Sequence, residues 1–106
     1  MSDPHRTPIV FIPNKGAHDF SDAERYGELR FLTEGTVRRY AVNNLYRVIA
    51  EGMKDAEEED YLLISSLTIL NTIVCSVLAR KFGKVNFLLF RDGEYIDRTL
   101  NIDSLL

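Results

Sequence analysis

The chain has 106 residues, of which 45% are apolar and 27% are charged, and its 13 basic and 16 acidic residues leave a formal net charge of -3. This length is enough for one hydrophobic core and too short for two domains. The apolar fraction excludes a disordered or collagen-like chain. We therefore expect a flexible N-terminal segment, residues 1–8, followed by a single domain over residues 9–106.

The first eight residues, MSDPHRTP, are polar and interrupted by proline, so they lack the apolar run of a secretory signal. Cys75 is the only cysteine, and an internal disulfide or a Cys/His zinc site is therefore excluded. These features predict a cytoplasmic protein in a reducing compartment, without a metal or a cofactor.

Strand one is predicted at Ile9–Ile12, a β-branched and aromatic run that ends at a Pro-Asn-Lys-Gly loop. Ser21 and Glu24 have the spacing of a capping box, which predicts a short helix that ends at Tyr26. A second strand follows over residues 29–33, and the turn after it leads into a helix over residues 37–53. The apolar positions of this helix are spaced by threes and fours: Val37, Tyr40, Ala41, Leu45, Val48, Ile49 and Met53.

The acidic stretch over residues 55–60 is interpreted as a solvated loop, as such charge runs usually are. The run Tyr61–Ala79 contains no charged residue and approaches the ~20 residues that span a bilayer. Six of its residues are polar, however, and its Ser65-Ser66 pair resembles a strand end followed by a helix cap. We favour a strand at 61–64 and a helix at 67–82 over a membrane span, and we expect no membrane partner.

The C-terminal part is predicted to be a hairpin of strands 85–90 and 95–102, because Asp92-Gly93 suits a type I′ turn. Alternating strands and helices favour parallel neighbouring strands. The predicted fold class is therefore α/β: a small Rossmann-like mixed sheet of four to five strands with two main helices and a C-terminal antiparallel hairpin. The direction of the first strand stays open at this stage.

Ligands of such sheets bind at the carboxyl ends of the parallel strands, where helix amides attract anions. Three polar junctions are expected there, over residues 14–22, 33–36 and 65–68. The candidate ligand-binding residues are Asn14, Lys15, His18, Thr36, Ser66 and Thr68. Serine and threonine at these places also suit helix capping, and neither phosphate-binding glycine motif occurs. The first hypothesis is a non-enzymatic module, a sensor or sequestering protein, that binds an anionic or nucleotide-like small molecule.

Two other functions remain open from the sequence. A protein interaction module, such as an adaptor or inhibitor, would use the apolar helix 67–82 or the last strand. A small hydrolase would use His18 and Asp19, but Cys75 lies within a buried helix and no nucleophile is evident. We therefore assign no catalytic residue and favour a protein without enzymatic activity.

The sequence also predicts which molecules the protein binds. Helix 67–82 is apolar on nearly every side, so we expect a homo-oligomer. The net acidic charge disfavours nucleic acid, although Arg38, Arg39 and Arg47 form a modest basic patch.

Overall fold

The computed structural model describes residues 6–65 and 67–102. The elements in chain order are β1 (Ile9–Ile12), a 3-10 helix (Ser21–Arg25), β2 (Glu28–Phe31), α1 (Val42–Gly52), β3 (Tyr61–Leu63), α2 (Thr68–Phe82), β4 (Lys84–Arg91) and β5 (Glu94–Asn101). The predicted α/β class with two main helices is confirmed.

The five strands form one sheet in the order β2-β1-β3-β4-β5. Strand β1 is parallel to β2 and to β3, and β3 is parallel to β4, whereas β5 is antiparallel to β4. The predicted hairpin is confirmed, because Asp92 and Gly93 have φ angles of 51° and 85°, as a type I′ turn requires.

The connections between the strands leave the sheet on opposite faces. Strands β2 and β3 lie on opposite sides of β1, so right-handed crossovers place the 3-10 helix on one face and α1 with α2 on the other. Phe11 and Leu62 belong to the core under the helices, whereas Val10, Ile12 and Leu63 pack on the opposite face. Strand β1 is thus buried on both faces, which explains its unbroken apolar sequence.

Helix α1 begins at Val42, five residues later than predicted. The preceding residues form a turn in which the Ala41 amide donates to the Arg38 carbonyl at 3.0 Å. Tyr40 was expected on the core face but is 91% exposed, while Val37 packs against the core. The apolar spacing predicted too early a start for the helix. Val37 fits that spacing because it packs against the core, but it does so from a turn.

The predicted capping box is wrong, because the 3-10 helix begins after Phe20 and no capping side-chain hydrogen bond is found there among the described residues. Helix α2 begins at Thr68 after Leu67, so Ser65 is not its N-cap residue. The Asn71 side chain instead accepts from the Ser65 amide at 3.1 Å and donates to the Ser65 carbonyl at 2.6 Å. This amide holds the backbone before α2 from inside the helix, so a serine cap is not needed. Ser66 lies outside the described residues.

The acidic stretch is only partly a solvated loop, because Asp60 is 2% exposed. Its carboxylate accepts from the Ile9 amide at 2.8 Å and from the Glu57 amide at 2.9 Å. Arg6 donates to both Asp60 oxygens, at 2.7 and 2.9 Å. Residues 1–5 of the segment expected to be flexible lie outside the described residues.

The long uncharged run is divided between β3 and α2, as the sequence analysis favoured. Within residues 6–65 and 67–102, no helix has the length and apolar content needed to cross a bilayer. The run resembled a membrane span because a buried strand is followed closely by a largely buried helix.

Candidate functional site

A pocket of about 430 Å³ lies beside the carboxyl ends of β1 and β3. This is the switch point of the sheet, because the connections from β1 and from β3 lead in opposite directions along it. Ligands of open α/β sheets bind in the crevice at such a switch point. The loop after β1, the end of β3 and the β4–β5 hairpin contribute its walls. The side chains that give the pocket its character are Asn14, His18, Phe20, Ser65, Phe90 and Tyr95.

Aromatic rings form much of the wall. The His18 and Phe20 rings meet edge to face with centroids 4.8 Å apart, and the Phe90 and Tyr95 rings do so at 5.1 Å. Tyr95 is 5% exposed, whereas Phe90 is 57% exposed although it lines a pocket. A half-open phenyl ring over a buried one offers a surface on which a planar group can stack.

Ser65 lines the pocket, and its hydroxyl, which is buried, lacks a hydrogen-bond partner among the described residues. A buried hydroxyl without a partner costs about 1–3 kcal/mol. The Ser65 backbone is held by Asn71, so this hydroxyl is positioned beside the pocket by a fixed main chain.

The loop after β1 is fastened to the neighbouring connection. Asn14 Nδ2 donates to Thr33 Oγ1 at 2.9 Å and to the Gly35 carbonyl at 3.0 Å. The Lys15 amide donates to the Thr33 carbonyl at 2.8 Å. The side-chain amide of Asn14, which was predicted to bind a ligand, therefore joins the two loops.

Of the five predicted ligand-binding residues that the structure describes, Asn14 and His18 line this pocket and Lys15, Thr36 and Thr68 do not. Lys15 lies toward β2, with Nζ 5.6 Å from the Phe31 ring centroid and 3.8 Å from the Glu34 carboxylate. Thr36 is exposed in the connection after β2.

Thr68 lies in a separate groove, beside Arg39 and Tyr40, and Ser66 lies outside the described residues. The three junctions do share one edge of the sheet, since the strands that precede them are parallel. Asn14 and Ser65 line the same pocket, and Asn14 donates to Thr33 of the junction over residues 33–36. Thr68 is separated from them because α2 packs on the opposite face of the sheet.

Phe20, Ser65, Phe90 and Tyr95 line the pocket but were not among the predicted ligand-binding residues, although Ser65 belongs to the predicted junction 65–68. Phe20 carried a signal, because it is an aromatic residue within a polar loop. Phe90 and Tyr95 looked like ordinary strand residues, and only the hairpin pairing places them opposite each other beside the loop after β1.

Two carboxylates act on the pocket residue Tyr95, and the Arg25 guanidinium donates to its carbonyl at 3.2 Å. Burial raises the pKa of Tyr95, and the carboxylates of Asp22 and Asp19 raise it further. The Ser21 amide donates to the Asp19 carboxylate at 2.9 Å and lowers its pKa. In the part of the chain that the structure describes, no hydrogen bond joins His18 to Asp19 or to Ser65.

Comparison with known proteins gives one match. No curated protein and no solved structure matches the chain. A family model described as phage Pam3 gp32-like protein matches residues 8–102, which include every strand and both helices, and the chain therefore belongs to that family.

Proposed function

We propose that this protein is a small non-enzymatic binding module, a sensor or sequestering protein, for a nucleoside-like small molecule. The observation that supports this most directly is the pocket of about 430 Å³ at the switch point of the sheet. Pockets of roughly 300–1,000 Å³ hold small organic ligands, and apolar walls with a few polar groups are typical of them.

The wall chemistry favours the ring of such a ligand over its phosphate. Phe90 supplies an exposed stacking surface, and Ser65, which lines the same pocket, has a buried hydroxyl without a partner among the described residues. The carboxylates of Asp19 and Asp22 would repel an anion, and the expected cation, Lys15, lies outside the pocket. We therefore propose a nucleoside-like ligand that is neutral or cationic, rather than the anionic ligand first expected.

Calorimetric titration with the four common ribonucleosides and their 5′-monophosphates tests this proposal. We expect at least one nucleoside to bind more tightly than its monophosphate. Phe90→Ala should weaken that binding about tenfold, the equivalent of ~1.4 kcal/mol. Lys15→Ala is the matched control and should bind like the wild type.

Two results would contradict the proposal. One is the absence of binding for every nucleoside at about 1 mM, the weak end of specific affinities. The other is binding that Phe90→Ala leaves unchanged, which would place the ligand elsewhere.

A protein interaction module is the second candidate. The observation that favours it is the exposed apolar surface of the helical layer, where Tyr40, Val42 and Tyr46 are 91%, 45% and 52% exposed. Large exposed apolar patches often mark contact with another macromolecule.

A further inference from the structure

The two helices and their flanking turns carry a positive charge that the rest of the chain does not. Residues 37–54 and 68–82 contain one acidic residue, Glu51, and six basic residues: Arg38, Arg39, Arg47, Lys54, Arg80 and Lys81. The remaining residues contain 7 basic and 15 acidic side chains. A protein with a net charge of -3 therefore has a basic helical layer and an acidic remainder.

The basic layer contains two consecutive apolar grooves between α1 and α2. The first has a volume of about 460 Å³, with Tyr46, Ala50 and Val77 between the basic side chains of Lys54 and Arg80. We call this first cavity and its continuation the helix groove.

The continuation of the helix groove is a second cavity of about 460 Å³ toward the amino ends of the helices. Val42 and Ile69 line it, with Arg39 and Tyr40 at its border. Val42, Tyr46 and Ala50 are each four residues apart on α1, so they form one stripe along both cavities.

We propose that the helix groove binds an amphipathic helix of a partner protein whose polar face is acidic. The 11 residues of α1 rise about 16 Å, so the groove accommodates roughly three turns of a second helix. Apolar side chains of such a helix would pack along the stripe of α1, and its carboxylates would meet the basic residues at the borders.

Charge distinguishes this partner from a second copy of the chain. If two copies paired through their helical layers, six basic residues of one copy would face six of the other. Glu51 is the one acidic residue in each layer, so the two layers would repel each other. A nucleic acid would satisfy the cations but would leave Val42, Ala50 and Val77 without an apolar partner.

Fluorescence anisotropy with a synthetic probe tests the proposal. The probe is a labelled helical peptide of about 15 residues, with leucine on one face and glutamate elsewhere, and its control carries lysine in place of glutamate. We expect the glutamate peptide to bind at least about tenfold more tightly than the lysine peptide. Arg80→Glu should weaken the glutamate peptide and strengthen the lysine peptide. Arg91→Glu, an exposed charge reversal in the hairpin, should leave both unchanged.

The proposal is overturned if the glutamate peptide fails to bind at about 100 μM or if both peptides bind alike. It is also overturned if Arg80→Glu leaves the glutamate peptide unaffected while circular dichroism shows a folded variant. A single-stranded oligonucleotide or phosphatidylserine vesicles that bind more tightly than the peptide, and lose binding in Arg80→Glu, would identify a polyanion site instead.

Discussion

Asp60 joins three separate segments of the chain at a single side chain. Its carboxylate accepts hydrogen bonds from Arg6, from the first residue of β1 and from the Glu57 amide in the preceding loop. The hydrogen bond to Asp60 is the main cause of the raised pKa of Arg6. Burying a carboxylate destabilises the folded state little when all its hydrogen-bond donors are present. If the carboxylate is lost, the buried donors stay unpaired and the folded state is destabilised.

We expect Asp60→Asn to lower the free energy of unfolding by about 2 kcal/mol, because it weakens the charge-assisted hydrogen bonds that the buried carboxylate accepts from Arg6 and from two backbone amides. Arg6 would keep Glu59 as a charged partner at 2.7 Å. Urea unfolding followed by circular dichroism measures this change. Glu58→Gln, an exposed substitution in the same loop, is the control and should cost less than about 0.5 kcal/mol. A loss below about 1 kcal/mol for Asp60→Asn would contradict the role assigned to it.

Asp55 and Arg30 give a prediction about pH. The hydrogen bond from Arg30 lowers the pKa of Asp55. A lowered pKa in the folded state stabilises the fold above the ordinary aspartate value, about 3.9, and this contribution is lost as the pH falls through the folded value.

Carbon-13 NMR titration of the Asp55 carboxyl group should therefore give a pKa below the ordinary one in the wild type. Arg30→Ala should return it upward, and Lys54→Ala should not, because Lys54 pairs with Glu51. An unchanged titration curve in Arg30→Ala would show that the ion pair does not form in solution.

At the scale of elements, the first two strands begin at a very close backbone contact. A Cβ at Gly27 would lie 2.1 Å from the Pro8 carbonyl oxygen. That oxygen accepts from the Glu28 amide at 2.9 Å, at the start of the β1–β2 pairing. A side chain at this position would separate the two strands where their ladder begins.

We expect Gly27→Ala to destabilise the protein by more than about 2 kcal/mol, because the obstructing atom is backbone and cannot rotate away. Gly16→Ala is the matched control, since a Cβ there would have no atom within 4 Å. Thermal unfolding of both variants measures the difference. Equal melting temperatures would mean that the close approach of residues 8 and 27 is absent in solution.

At the scale of the whole molecule, self-association remains a prediction. The basic charge of the helical layer opposes pairing through that layer. In the described part of the chain β2 and β5 are the edges of the sheet, and β5, with 8 residues, is the longer one. Leu89 and Leu100 are 39% and 40% exposed beside this edge. An open edge strand with apolar neighbours is a template for pairing with a second chain.

We expect sedimentation at micromolar concentration to show a species heavier than the 12.2 kDa monomer. Leu100→Lys should reduce it, because it places a charge on the exposed face of β5, while Val77→Glu in the helix groove should not. A clean monomer would contradict the predicted oligomer. Dissociation by Val77→Glu alone would place the contact in the helix groove and would count against an acidic partner there.

The sequence by itself determined the identity of the elements. Alternating strands and helices indicated a largely parallel sheet, and the uncharged run was correctly divided between β3 and α2. The Asp92-Gly93 pair specified the terminal hairpin, because few residue pairs adopt two successive positive φ angles. These features depend on local backbone preferences and on apolar periodicity, which are both present in a short stretch of chain.

Only the tertiary structure decided which residues share a site. Strand order brings Phe20, Ser65, Phe90 and Tyr95 together from distant parts of the chain. The crossovers separate Thr68 from His18 by placing their segments on opposite faces of the sheet. The pairing of strands that are distant in the sequence determines which of these residues are neighbours. A run of charges or a spacing of apolar residues describes a short stretch of chain and does not specify that pairing.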